Sequence, residues 1–332
     1  MTSHTPGREP SRQLCVTGGP DPDRWATPLN LSNMAPDAVI QLESLTKFYG
    51  PHRGIEALDL EVGPGEIFGF LGPNGAGKTT TIRLLLDMIR PTSGRARVLG
   101  MDANAESIAI RRRVGYLPGE LALYENLTGR QLLDHFAGLR GLEGSGHGTD
   151  FSERLGIDLT RPIGTLSKGN KQKVGLAQAF MHSPDLLILD EPTSGLDPLV
   201  QKEFHAILRE LAGDGKTIFL SSHVLSEIEE VAHRVGIIRA GALVAVEELH
   251  ALKAKAIRRI DVVFATEADV HAFDGVEGVR EAEIEGVRGR FVVDGSIDAF
   301  LKAVARYEVL DLVSQEPDLD EIFMGYYSGG AS

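Results

Sequence analysis

A chain of 332 residues with 42% hydrophobic and 24% charged residues has the makeup of a soluble protein of about two domains, each able to bury a core. Its net charge of −13 argues against a general grip on nucleic acid, because phosphate backbones select basic faces. The single cysteine, Cys15, excludes an internal disulfide, no apolar run reaches the roughly 18 residues of a membrane span, and the N-terminus lacks the apolar core of a secretory signal, so a cytoplasmic compartment is expected.

Residues 1–36 are rich in Pro, Gly, Ser, Thr and Asp without periodicity and are predicted to be disordered; Met34 is a candidate alternative start. Patterned sequence begins at Ala38–Leu42 and Leu45–Gly50. Ala57–Val62 then alternates as a half-buried strand does, and Gly63-Pro64-Gly65 turns the chain. The apolar run Ile67–Leu71 leads into Gly72-Pro73-Asn74-Gly75-Ala76-Gly77-Lys78-Thr79 and then into the helix start Thr80–Leu86. Strand, glycine-rich loop and helix are the context of a phosphate-binding loop. The glycines let backbone N–H groups turn towards phosphate oxygens, and the helix N-terminus adds roughly half a positive charge. Lys78 would reach the β and γ phosphates and the Thr79 hydroxyl would ligate magnesium, with Thr80 beside it among the binding residues.

After a turn at Pro91–Gly94, Arg113–Pro118 reads as a short strand stopped by proline. Thr128–Met181 has helical spacing broken at Gly141–Gly148 and Pro162–Gly164. Leu186–Leu189 is a continuous apolar run, as expected of a strand buried on both faces, and it ends in Asp190-Glu191. Thr217–Leu220 is a second such strand, ending in Ser221-Ser222-His223 before a helix marked by Val224, Ile228 and Val231. Alternating strands and helices imply a mainly parallel sheet with ligands at the carboxyl ends of its strands, where all three polar clusters fall. Asp190 is the natural second magnesium anchor, and Glu191 beside it is placed to orient or deprotonate the attacking water.

From about residue 250 the order becomes βαββαβ, with strands at Ile260–Phe264, 279–284, 289–294 and Val309–Val313. A helical stretch at Ala268–Phe273 and a helix capped by Ser296 lie between them, which suggests a small α+β domain of the ferredoxin-like type. From 251 onward 9 basic residues face 16 acidic ones, a net of about −7, so this is not an RNA-binding version of that fold.

These motifs resemble the ATP-binding cassette (ABC) family over about residues 38–245. Gly72–Thr79 looks like its Walker A loop, and Leu186–Asp190 like its Walker B strand, with Glu191 in the catalytic-base position and His223 as the switch histidine. Leu166-Ser167-Lys168-Gly169-Asn170 resembles the signature motif, Ser194-Gly195-Leu196-Asp197 the D-loop, and Tyr49 the aromatic that stacks on adenine. The signature departs from Leu-Ser-Gly-Gly-Gln but keeps Ser167 and Gly169. At Pro118-Gly119-Glu120 the family's usual Gln is absent, so Gly119 can neither bind magnesium nor sense the γ-phosphate, and Glu120 is either its substitute or an ordinary surface acid.

The resemblance implies an α/β fold, a P-loop cassette over 37–249 with a helical subdomain at about 120–182, and an accessory domain over 250–332. It implies ATP and Mg2+ as ligands and two cassettes pairing head to tail, so that Ser167 of one copy faces the nucleotide held by Lys78 of the other. It also implies a separate transmembrane permease docked near residues 120–165 at the cytoplasmic face of the membrane. With the ending Pro317–Phe323, the chain is similar to the ATPase subunits of bacterial multidrug and antibiotic exporters of the daunorubicin-resistance type. The rival class is a soluble cassette ATPase acting on ribosomes or DNA, whose members carry two cassettes or long coiled coils; one cassette and no sustained heptads are seen here. Lys168, Lys171 and Lys173 read as a solvated basic face, and His182 as a helix-end residue.

Overall fold

The computed structural model describes residues 38–142, 144, 146–251 and 258–315; the expectations for residues 1–36 and for Pro317–Phe323 lie outside them. Three sheets are present among the described residues.

The first is antiparallel, in the order β2-β1-β4-β5, from β1 (Ile40–Tyr49), β2 (His52–Val62), β4 (Ser93–Val98) and β5 (Met101–Asp102). The alternation of β1 slips at Ser44, which has a φ of 44° and donates its N–H to Asp59 Oδ1 at 2.6 Å. The irregularity re-phases the strand, so Ile40, Leu42 and Leu45 all reach the core. The expectation of a mainly parallel sheet therefore covers only the second sheet, and the turn expected at Pro91–Gly94 passes directly into β4.

That second sheet runs β10-β9-β3-β8-β7-β6, built from β3 (Ile67–Leu71), β6 (Val114–Leu117), β7 (Leu186–Asp190), β8 (Thr217–Ser222), β9 (Arg234–Arg239) and β10 (Ala242–Glu248). All neighbours are parallel except the β9–β10 edge hairpin. Every residue of β3, β7 and β8 is buried, which is why these strands read as unbroken apolar runs. One face carries Phe68, Phe70, Ile188 and Phe219 against α1 (Lys78–Leu85) and the first sheet, with Phe68 and Phe219 stacked at 5.8 Å. The other face carries Leu71, Leu187, Leu189 and Leu220 and packs on later helices.

Those helices are α5 (Lys168–Phe180), α6 (Pro198–Gly213) and the short α7 (Leu225–Glu229). Earlier in the chain, α2 (Ser107–Arg113) precedes β6, and α3 (Gly129–Arg140) and α4 (Gly148–Arg154) precede α5. Thr128 and Gln131 form a reciprocal capping box at the start of α3, and Gly141, with a φ of 69°, ends it. The break at Pro162–Gly164 is a single 3-10 turn.

The third sheet is wholly antiparallel, in the order β12-β13-β11-β14, from β11 (Arg258–Phe264), β12 (Val279–Glu285), β13 (Arg288–Val293) and β14 (Val309–Ser314). With the first strand second from one edge beside the third, this is the strand order of a split βαββαβ unit. The first helix is reduced to a 3-10 turn at Val270–Phe273; the second, α8 (Asp298–Val304), starts where the Asp298 N–H donates to Ser296 Oγ at 3.3 Å. Phe264, Phe273, Phe291 and Phe300 fill its core. Among the described residues no helix is long and apolar enough to cross a membrane.

Candidate nucleotide site

β8 lies between β3 and β7 and parallel to both, so the loops leaving these three strands converge at the carboxyl end of the sheet. The loop after β3 is anchored by the Gly72 N–H, which donates to Ser222 O at 3.2 Å. Gly77 ends the loop at a φ of 113°, and a Cβ there would lie 2.6 Å from Ile55 Cγ2 and 2.9 Å from Gly54 O. Both conformation and space demand glycine at that point. Pro73, Asn74, Gly75 and Ala76 complete the curve into α1, and Ala76 is itself tied to Gly241, whose N–H donates to Ala76 O at 2.9 Å.

Lys78, the first residue of α1, is only 6% exposed. Its ammonium donates to Gly72 O at 2.6 Å and to Pro73 O at 3.4 Å, and it pairs with Glu191 Oε1 at 3.2 Å. The other Glu191 oxygen, Oε2, is 2.8 Å from His223 Nδ1. Glu191 thus sits between the Lys78 ammonium and the His223 ring. Its backbone has a φ of 51°, an uncommon conformation for a side-chain-bearing residue, and its N–H donates to Ser221 O at 3.1 Å.

Asp190 is 2% exposed. Thr79 Oγ1 donates to its Oδ2 at 2.8 Å and Ser221 Oγ to its Oδ1 at 2.5 Å, so both carboxylate oxygens are directed by hydroxyls. A hydroxyl and a carboxylate side by side are hard oxygen donors that fit Mg2+, a cation that keeps several waters and shares its shell with substrate phosphates. No group of three or more His, Cys, Asp or Glu residues that could hold a metal by themselves exists among the described residues. A Cβ on Gly119 would lie 3.2 Å from Asp190 Oδ2, so a side chain at this position would start against the carboxylate. Tyr116, on the same strand end, is pushed up to about 12 by burial and by the Asp190 charge, and stays neutral at physiological pH.

Tyr49 is 45% exposed at the end of β1, which removes it from the core. It and Thr80 share one neighbour, since a Cβ on Gly54 would lie 2.9 Å from the tyrosine ring and 3.2 Å from Thr80 Cγ2. Ser167 and Gly169 lie apart from this group, at the start of α5. The Ser167 hydroxyl caps that helix by accepting from Asn170 N–H at 3.3 Å, and a Cβ on Gly169 would lie 2.3 Å from Gly195 O. Asp197 caps α6, accepting from the N–H groups of Leu199 and Val200.

Of the solvated basic face expected on α5, Lys168 and Lys171 lie at the surface, where Lys168 Nζ donates to Ser194 Oγ at 3.2 Å and Lys171 pairs with Glu125 at 2.8 Å, whereas Lys173 is buried. His182 follows α5 as expected, but its Nε2 is 3.2 Å from Val114 O, which ties the helix end to β6. Sequence reading gave Ser221 no role beyond its place in the strand-end cluster and passed over Gln172; both are buried. The signal for Ser221 is a hydroxyl ending an otherwise apolar buried strand; for Gln172, one polar residue among many on a helix, no such signal exists.

A family model described as "ABC transporter" matches residues 55–194. The chain is 35% identical over 310 residues to the bacitracin transport ATP-binding protein BcrA of Bacillus licheniformis, covering 88% of this chain and 98% of the relative. It is 33% identical to the daunorubicin resistance ATP-binding protein DrrA3 of Streptomyces coeruleorubidus, covering 87% of this chain and 95% of that one. Among solved structures, an ATP-binding subunit of an ABC transporter superposes with a TM-score of 0.60 at 30% identity, covering 65% of this chain and 92% of the other. A dimeric bacterial ABC transporter cassette shares the fold with a TM-score of 0.59 at 22% identity, covering 63% of this chain and 98% of the other. The strand-end loops, the buried lysine and the paired carboxylates thus stand on the fold of that family, and the chain belongs to it as an ATP-binding, ATP-hydrolysing subunit of an ABC transporter.

Proposed function

We propose that this chain energises export of a drug or antibiotic-like small molecule through a separate membrane permease, acting as a homodimer at the cytoplasmic face of the membrane. The observation that carries the export reading is the extent of the match to the bacitracin and daunorubicin relatives, which runs past the matched 55–194 segment to most of the chain. In this reading 37–249 is the cassette, with its helical subdomain at about 120–182, and 250–332 an accessory domain.

The chemistry follows from the contacts of Lys78 and Glu191. The loop N–H groups from Gly72 to Thr80 and the Lys78 ammonium receive the phosphates of ATP, while Tyr49 offers its exposed ring to the adenine. As Lys78 turns to the β and γ phosphates, it leaves the Glu191 carboxylate free to take a proton from the water that attacks the γ-phosphorus. His223, bonded to the other Glu191 oxygen, keeps that carboxylate aimed and presents its ring to the γ-phosphate. Thr79 and Asp190 are the oxygens that would hold Mg2+, which when bound neutralises charge on the phosphates. Ser167 and Gly169 of one copy face the nucleotide at Lys78 of the other, with Asp197 in the turn between the two sites. The dimer therefore closes on ATP and opens after hydrolysis because the two states differ in nucleotide affinity.

The test is capture of partners from detergent-solubilised membranes with tagged Glu191→Gln protein held closed by ATP. A stoichiometric multispanning protein is the expected result. Recovery of ribosomal or DNA-repair proteins without a membrane partner would move the chain to a soluble cassette ATPase.

A further inference from the structure

Gln172, in the second turn of α5, is 3% exposed. Its Nε2 donates to Glu191 O at 3.2 Å and to Pro192 O at 3.1 Å. An amide NH2 has two hydrogens, and both meet backbone carbonyls that can only accept. The peptide they hold is one the chain would otherwise leave: Glu191 has a φ of 51° and precedes a proline, which restricts its backbone further. Strained backbone of this kind persists only where surrounding groups over-determine it. On the other side of that peptide, the Glu191 N–H is held by Ser221 O and Oγ, at 3.1 and 3.3 Å.

We infer that Gln172 is a positioning residue for ATP hydrolysis: it fixes the backbone of Glu191, and with it the direction of the carboxylate, to the helix that begins at Ser167. Two further contacts make the link rigid along its length. Lys168 Nζ bonds Ser194 Oγ at 3.2 Å, and Gly169 abuts the Gly195 carbonyl so closely that a Cβ would lie 2.3 Å from its oxygen. The first turns of α5 and the 191–195 segment are therefore stapled at three successive levels. A displacement of the Ser167 end moves the carboxylate with it. The inference rests on Glu191 being the base, as proposed above.

Gln172→Met keeps length and volume and removes both donors, and Gln172→Glu restores one donor only when its carboxyl is protonated. The measurement is steady-state hydrolysis and fluorescent-nucleotide affinity for both variants, alone and in Glu191→Gln. We expect Gln172→Met to lower kcat by roughly 10- to 100-fold, the scale of an ångström's misplacement, with nucleotide affinity unchanged within about twofold. In the Glu191→Gln background the same substitution is expected to have no effect on residual hydrolysis, because it acts only through the carboxylate. Gln172→Glu should regain activity relative to wild type as pH falls, since only the neutral carboxyl donates.

Wild-type kcat in Gln172→Met would overturn the inference. So would an equal loss in the Glu191→Gln background, or a parallel loss of nucleotide affinity, either of which would mark a general packing role. Wild-type turnover in Glu191→Gln alone would instead remove the base assignment, and the inference with it.

Discussion

Replacing Gly169 by alanine sets two effects of opposite sign against each other. Gly169 is the second residue of α5, and alanine is the better helix former by up to ~1 kcal/mol. Its Cβ, however, would lie 2.3 Å from the Gly195 carbonyl oxygen and 3.3 Å from the carbonyl carbon. Because that neighbour is backbone, no rotamer change relieves the overlap. The start of α5 or the 194–196 turn must move by roughly 1 Å to reach ordinary contact distance, at an overpacking cost of about 1–3 kcal/mol. The steric term wins, leaving a net loss of about 1–2 kcal/mol and a fall in Tm of about 2–8 °C for a domain of this size. Turnover falls on the order of 100-fold, because the same shift is delivered to the peptide of Glu191. Gly138→Ala is the matched control: it lies within α3, has nothing within 4 Å of its would-be Cβ, and is expected to raise Tm slightly with unchanged turnover. Thermal unfolding and steady-state hydrolysis of the two variants decide the matter. Gly169→Ala with Tm and turnover matching Gly138→Ala would show that helix propensity governs and that the close approach does not constrain the site.

Lys78→Ala is expected to abolish ATP hydrolysis and reduce fluorescent-nucleotide binding beyond detection. It should also lower the Tm of the nucleotide-free protein, since two carbonyls and the Glu191 carboxylate lose their cation. Gly119→Gln places an amide against Asp190 and should raise turnover and lower the Mg2+ concentration for half-maximal hydrolysis severalfold; an unchanged Mg2+ dependence would show that the position does not address the cation. Burial, with Arg140 nearby, pushes His182 down from 6.5 to about 4, so the folded state favours the neutral ring. Its contribution is complete above about pH 6.5 and is lost as pH falls towards about 4. With partial exposure of the ring taken into account, that is worth about 1–2 kcal/mol. The urea midpoint of the wild type should exceed that of His182→Gln at pH 7 and converge on it at pH 4.5, and parallel pH dependences would refute the assignment.

Where burial is two-sided, the fold was legible: β3, β7 and β8 carry no polar interruption before their last residues, so their ends could be located from the sequence. The antiparallel sheet was not, because β1 changes phase at Ser44 and its pairing with β4 spans some fifty residues. α2 also escaped notice, since Ser107–Arg113 buries only Ser107 and Ile110 and shows no repeating apolar face. Strand order is a further limit. That β8 separates β3 from β7 follows from pairing between distant segments, which local pattern does not encode.

The same distinction divides the site. Lys78, Thr79, Asp190, Glu191 and His223 lie in or beside the turns that follow strands, where their sequence neighbours are diagnostic, and these side chains meet within hydrogen-bonding distance. The groups that hold them in place, Ser221 and Gln172, are polar residues on regular elements, and their importance arises from burial that only the packed chain creates. Gln172 and Lys173 are buried, while their neighbour Lys171 reaches Glu125 at the surface; consecutive polar residues thus divide between interior and surface, which the sequence does not mark. Gly119 inverts the case. Its missing side chain was visible in the sequence, but its meaning depended on direction, and the 3.2 Å from a would-be Cβ to Asp190 Oδ2 supplies it. With no side chain at position 119, Asp190 Oδ2, on the carboxylate proposed above for Mg2+, has the Thr79 hydroxyl as its donor. The substitution is therefore expected to tune how strongly hydrolysis depends on the cation, while the phosphate loop, which Gly119 does not touch, keeps its hold on nucleotide.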